Sequence, residues 1–265
     1  MDIGTGKDLD EYEVDGNQIP YHLIDIHLPG YLYNIAEFQA DFATVFESIH
    51  QKSKFPILCG GSGLYIETAL RGHSFLGIPS DAIRRQQLET LTSNEIDEWY
   101  QKLPTSLTDK LNAKTDKRKI RAIIIDEYLK QHPDWKPRSL PDVKPLIVGV
   151  DIDRDLRRDK ITKRLKFRLA HGMIEEVELL LSEHGLSYEQ LDYYGLEYKW
   201  VGLYLQGGID RDMLFERLNI AIHQFAKRQM TWFRKMEKDG FDIHWIDASK
   251  PNPMKVARVL ELLHA

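Results

Sequence analysis

Three short apolar runs, set between segments of helical periodicity, constrain this chain most. They are His22-Leu-Ile-Asp-Ile26, Phe55-Pro-Ile-Leu-Cys59 and Leu146-Ile-Val-Gly-Val-Asp-Ile152. Each is too short for a buried helix and lies beside proline or glycine, which reads as a buried strand. Between the first two, Tyr33 to His50 sets Ile35, Phe38, Phe42, Val45, Phe46 and Ile49 on one helical face. Strands alternating with helices imply an α/β fold with a mainly parallel sheet flanked by helices. Cys59, ending the second run, is expected to be small and buried. Arg157 to Glu183 reads as one long amphipathic helix bent at Gly172. Ile243-His-Trp-Ile-Asp247 reads as an edge strand, and Lys255 to Leu263 as a closing helix. Between Pro79 and Pro145 the strands give way to polar helical segments. The expected division is a core of 1–83 and 144–265 interrupted by a helical insertion, 84–143.

Composition narrows the class of protein. A chain of 265 residues can bury a substantial core. No apolar run approaches the roughly 20 residues of a membrane helix, so no membrane role is expected. A single cysteine excludes an internal disulfide framework, and the ten histidines show no zinc-ligand spacing. A cytoplasmic setting fits. The net charge of −5 argues mildly against nucleic acid, but its distribution does not. Lys114, Lys117, Arg118, Lys119 and Arg121 form one basic stretch. Arg154, Arg157, Arg158, Lys160, Lys163, Arg164, Lys166 and Arg168 form another. Each is either a solvated helix face or an RNA-binding surface.

Several groups are placed for chemistry. Gly60-Gly-Ser-Gly-Leu-Tyr65 follows an apolar run and opens a helix, where backbone N–H groups can face a ligand. Further on, Leu214, Leu218, Ile222, Phe225, Gln229, Trp232 and Met236 mark one helix face, with Lys227, Arg228, Thr231 and Arg234 to its sides. Such a helix can seat itself in a core while holding cations against an anion. Gly4-Thr-Gly-Lys7 lacks a leading strand and reads as a surface turn. Asp151 and Asp153 read as caps of the following basic helix. Trp200, Trp232 and Trp245 are expected in the core. Trp99 and Trp135, in the polar insertion, are the better candidates for stacking with unpaired bases.

The wording of these motifs is more specific than their composition. Ala226-Lys-Arg-Gln-Met-Thr-Trp-Phe-Arg234 and Gly60-Gly-Ser-Gly-Leu-Tyr65 resemble signatures of the tRNA dimethylallyltransferases, and the likeness runs in order along nearly the whole chain. Met1-Asp-Ile-Gly-Thr5, Ile19 to Ile26, Tyr33 to Asp41, Gly172 to Val177 and, more loosely, Gly195 to Lys199 join it. The resemblance implies a P-loop-NTPase-like fold with a helical tRNA-binding insertion. It also implies transfer of a dimethylallyl group from dimethylallyl diphosphate to N6 of adenine-37 in the tRNA anticodon loop. Ser62 falls at the active-site hydroxyl, where the family carries Thr. Arg84, Lys117, Arg118 and Arg121 fall at tRNA-contacting positions, and Lys227 and Arg228 at diphosphate- or tRNA-contacting ones. Mg²⁺ would accompany the diphosphate, no protein metal site is implied, and a monomer is expected.

The sequence departs from the pattern in places. His223 stands where the family commonly has arginine, and Thr115-Asp116 sits out of register with an expected aspartate. The family's Gly-x-x-x-x-Gly-Lys-[Ser/Thr] loop and its Asp-Ser-Arg-Gln motif, which supplies the general base, are not among these residues. On that pattern about 40 residues would precede Met1, and the chain as given is expected to bind tRNA weakly and turn over little. Two other readings remain open, a noncatalytic RNA-binding paralogue and a small-molecule phosphotransferase.

Overall fold

The computed structural model describes residues 1–72, 75–137 and 140–264. Its contacts divide the chain into two compact units, Met1–Leu70 with Asp142–Ala265, and Arg71–Pro141.

The first unit opens on a turn and a 3-10 helix, Leu9–Tyr12, followed by a hairpin of β1 (Glu13–Val14) and β2 (Asn17–Gln18). The turn residues Asp15 and Gly16 have φ of 51° and 73°, the left-handed pair that a tight hairpin demands of Asp-Gly. α1 (Ile35–Gln51) begins at a capping box, Asn34 with Glu37, and buries Phe38 and Phe42. α2 (Gly63–Arg71) brings Ala69 against those rings, with Tyr65 edge-on to Phe38 at 4.7 Å.

The second unit is helical. α3 (Ala82–Glu89), α4 (Ser93–Gln101) and α5 (Thr105–Leu111) gather about α6 (Asp116–Gln131). α6 shows little amphipathicity because it is enclosed on more than one side. Ile120, Ile123 and Ile124 meet Leu88 and Ile96, while Ile125 meets Ile78 and Leu107. Trp135 packs against Phe75 in this second core, whereas Trp99 is 42% exposed.

The chain then re-enters the first unit through β3 (Ile147–Asp151). α7 (Arg154–Ala170), α8 (Met173–Ser182), α9 (Tyr188–Tyr194) and α10 (Leu196–Leu205) follow. The 28-residue α11 (Arg211–Lys238), β4 (Ile243–Asp247) and α12 (Asn252–His264) complete it. Leu165, Leu169, Met173, Val177, Leu191, Val201, Leu214 and Leu218 form the largest core, to which α7, α8, α9, α10 and α11 all contribute. The long helix expected over 157–183 is two helices, broken where Gly172 adopts a φ of +96°.

The sheet is narrower than the apolar runs imply. β3 and β4 pair in parallel, Ile147 opposite Ile243 through Asp151 opposite Asp247, and no other strand joins them among the described residues. His22–Ile26 is not a strand: Leu23 and Asp25 have φ of 61° and 54°, which no ladder accommodates. Phe55–Cys59 pairs with no strand, and Phe55, Ile57, Leu58 and Cys59 are exposed, so the expectation of a buried Cys59 fails. An apolar run becomes a buried strand only when a neighbour takes up its backbone groups, and neither run has one among the described residues. Helix-rich α/β with a small parallel sheet describes the fold. Among the described residues no helix is long and apolar enough to cross a membrane.

Candidate active site

Two separate sequence motifs meet in the first unit. The Gly-rich turn leads into α2, and α11 runs across it. Gln229 donates its Nε2–H to the Gly61 carbonyl at 2.8 Å, and the Trp232 indole donates to Glu67 of α2 at 3.2 Å. The approach is so close that a Cβ at Gly61 would overlap Gln229, and one at Gly63 would overlap the Trp232 ring. These glycines are required by close approach, because neither has a positive φ. Ser62 sits between them, exposed, its carbonyl accepting from Ile66 at the start of α2. The backbone on both sides of the hydroxyl is therefore held by α11.

Lys227 and Arg228 immediately precede Gln229 and are exposed, with no ion pair among the described residues. The Arg228 guanidinium lies 5.8 Å from the Phe225 ring centre, which shields one face of the cation while leaving its N–H groups free to point outward. One turn earlier, His223 meets Thr162 of α7 at 3.3 Å. Burial, helped by the charges of Arg158 and Arg157, pushes its pKa below the usual histidine value, so its ring is neutral near pH 7.

The N-terminal turn packs against α8 and α10. Backbone N–H groups of Asp2, Ile3 and Gly4 converge on the Glu176 carboxylate at 2.6, 2.7 and 3.2 Å, and the Tyr198 hydroxyl donates to the same group at 3.1 Å. Arg164 and Arg168 of α7 share Asp8, and Lys7 is paired with Asp2 and Asp25. Gly4-Thr-Gly-Lys7 is a turn, as expected, exposed at Thr5 and anchored where Gly4 is buried. Between this turn, Tyr12, Ile24 and Cys59 opens a cleft of about 350 Å³, and Cys59 directly precedes the Gly-rich turn.

The remaining expected site residues lie in the second unit. Arg84 grips Glu127 through Nε and Nη2 at 2.9 and 2.6 Å and covers the exposed Trp99 ring at 5.3 Å. Arg121 donates to the carbonyls of Pro79 and Ile78 at 2.8 and 2.6 Å, and burial lowers its pKa from the usual arginine value. Lys117 and Arg118, in the first turn of α6, are exposed and make no ion pair among the described residues. The structure thus separates two open cations from two guanidiniums already engaged. Asp153 caps α7, accepting from Asp155 and Leu156 at 2.9 and 3.1 Å, and those backbone donors hold its carboxyl below the usual range. Trp200 packs on the main core, whereas Trp245 is 36% exposed and donates to Glu237 at 2.7 Å.

Helical spacing puts Gln229 and Trp232 on one face of α11 but does not show what that face meets. The signal was the pair of glycines, whose missing Cβ atoms mark the contact. Glu176 as an anchor for three N–H groups had no local signal, because its partners lie more than 170 residues away.

Comparison with known proteins agrees along the chain. A family model described as IPP transferase matches residues 1–236. The chain is similar to tRNA dimethylallyltransferase 2 of Phocaeicola vulgatus, 51% identical over 267 residues, covering 100% of this chain and 85% of that protein. It is equally similar to tRNA dimethylallyltransferase 2 of Bacteroides fragilis (strain ATCC 25285), 51% identical over 263 residues, covering 99% of this chain and 85% of the relative. Among solved structures, the full-length tRNA isopentenylpyrophosphate transferase of Bacillus halodurans superposes with a TM-score of 0.67 at 25% identity, covering 100% of this chain and 82% of that one. With the family match spanning both the Gly-rich turn and the α11 signature, the chain belongs to the IPP transferase family.

Proposed function

We propose that this protein is a tRNA dimethylallyltransferase, transferring a dimethylallyl group from dimethylallyl diphosphate to N6 of adenine-37 in the anticodon loop. The observation that carries the reading is the seating of the Gly-rich turn on α11, which sets an exposed Ser62 hydroxyl beside a helix bearing Lys227 and Arg228. In the reaction the bond from C1 of the prenyl group to the diphosphate oxygen breaks, and a bond from C1 to N6 forms. N6 gives its proton to water, no residue here being assigned as general base, and the diphosphate leaves with the bonding electron pair. Lys227 and Arg228 offset the negative charge gathering on that leaving group, and the Ser62 hydroxyl hydrogen-bonds the adenine side. Lys117 and Arg118 contact tRNA phosphates, while Arg84 holds Trp99 as a face for an unpaired base.

Among the described residues no group of three His, Cys, Asp or Glu side chains could hold a metal ion. Mg²⁺ arriving with the diphosphate would therefore take its ligands chiefly from phosphate oxygens and water, and no step is routed through it. The protein acts as a cytoplasmic monomer on this reading.

The test is to incubate the protein with dimethylallyl diphosphate and an adenine-37 tRNA, then digest and quantify N6-prenylated adenosine by mass spectrometry. Formation of that nucleoside, slow because no general base is assigned among these residues and lost when adenine-37 is replaced, is expected. Tight tRNA binding without product would favour a noncatalytic RNA-binding protein. Phosphate transfer to a small acceptor would favour a phosphotransferase.

A further inference from the structure

The basic stretch of α7 sorts by what each cation already meets. Arg164 and Arg168 both reach Asp8, at 2.8 and 3.1 Å, and the Lys166 ammonium lies 5.4 Å from the Phe215 ring centre. Lys160 and Lys163 are exposed and make no ion pair among the described residues, although Asp159 stands four residues before Lys163. The face that carries them is fixed by the opposite one. Thr162 meets Asn219 of α11 at 3.0 Å, and Leu165 and Leu169 are buried in the main core. Leu156, Lys160, Lys163, Phe167 and His171 follow one another at three- and four-residue steps along the side turned away from that core. All are exposed, and no acidic side chain interrupts them.

Within this stripe Phe167 is held in place. It is 61% exposed, yet its ring lies parallel to that of His171, with centres 3.9 Å apart and planes 16° from coplanar. The His171 Nδ1–H donates to the Phe167 carbonyl at 2.7 Å, which fixes the imidazole against one face of the phenyl ring. The other face is left to solvent. A single exposed aromatic side chain is common on protein surfaces. One seated on a second ring beside unneutralised ammonium groups has the two parts of a single-strand platform, a π face for a base and cations for its backbone. Along the helix axis Lys163 precedes Phe167 by about 6 Å and Lys160 by about 10 Å, within reach of a strand whose base stacks on the ring. A duplex offers no free base face, and an acidic peptide would use the lysines and leave the rings idle.

We propose that the outward face of α7 binds unpaired RNA, with Phe167 on His171 as the stacking surface and Lys160 and Lys163 as phosphate contacts. Because this face is turned away from α11, it takes a stretch of strand separate from the adenine brought to Ser62. That the strand belongs to tRNA rests on the prenyl-transfer reading; the affinity of the face for unpaired RNA does not.

Binding is measured by fluorescence anisotropy with the full chain and a labelled oligoadenylate of about ten nucleotides, with a blunt RNA duplex and polyglutamate as competitors. Phe167→Ala is expected to weaken binding about tenfold with the salt slope unchanged, and Phe167→Tyr to retain wild-type affinity. Lys160→Gln combined with Lys163→Gln should reduce the slope of log affinity against log salt by about 1.4. Melting temperatures of all variants should match wild type, because each side chain is exposed. No binding by wild type, an affinity unmoved by Phe167→Ala, or competition by duplex or polyglutamate as strong as by unlabelled oligoadenylate overturns the proposal. Absence of N6-prenylated adenosine, with these binding results as expected, would sink the functional reading and leave the face standing.

Discussion

Close approach at Gly63 is the most demanding single-residue feature of the site, because any side chain there must displace the Trp232 indole. Gly63→Ala is expected to cost about 1–3 kcal/mol of stability and to lower prenyl transfer further, as seen in urea midpoints and product formation. A variant with wild-type values in both would show that α11 yields easily and that the turn is not held by it. Glu197 makes a second residue-scale case. Burial raises its pKa above the ordinary 4.5 despite the nearby Arg168 and Arg164 charges. Folding then favours the protonated carboxyl. That contribution is fully present below the unfolded value and is lost as pH rises through the raised folded value. Glu197→Gln should therefore raise the thermal midpoint at about pH 7 and give no gain at about pH 4. A midpoint that gains equally at both pH values would rule out ionisation as the cause.

At the scale of elements, helices were far more legible than strands. The 3.6-residue spacing in Tyr33–His50 and 214–236 marks helices that exist, because a helix satisfies its own backbone and needs only one face covered. The runs at 22–26 and 55–59 carry a strand-like composition but find no partner strand among the described residues, whereas 147–151 succeeds because β4 lies alongside it. Whether a run becomes a strand depends on a segment almost a hundred residues away, which local pattern cannot report. The break between α7 and α8 shows the intermediate case. Gly172 signals a bend in the sequence, and its φ of +96° turns the bend into two helices. Gly172→Ala should destabilise by about 1–2 kcal/mol, read from a urea unfolding midpoint, since an L side chain resists that conformation and its Cβ would also press on Ile3. No change in midpoint would mean that the junction re-forms with an ordinary φ.

At the scale of the whole molecule, charge has to be sorted by what already neutralises it. The stretch Lys117 to Arg121 looks uniform in sequence, but Arg121 is spent on the carbonyls of Ile78 and Pro79, while Lys117 and Arg118 remain open. The two kinds of arginine should behave differently. Arg118→Ala is expected to weaken tRNA binding and reduce the slope of log affinity against log salt by roughly one, with an unchanged melting temperature. Arg121→Ala should lower the melting temperature, because it removes the donor to the part-buried Ile78 carbonyl, and leave the slope nearly as it was. The reverse pattern in filter-binding and melting measurements would return Arg121 to the RNA-contacting surface.

The amino-acid sequence by itself determined the family, the α/β class, the principal helices and the two motifs around which the candidate site is built. These depend on residue identity and short-range spacing, which a linear chain displays directly. Only the tertiary structure decided which apolar runs pair as strands, which basic side chains are neutralised, and that Gln229 and Trp232 press on the glycines flanking Ser62. Each of those outcomes needs a partner distant in the chain. A hydrogen bond, an ion pair or a missing Cβ acquires meaning only from what folding brings within a few ångströms of it.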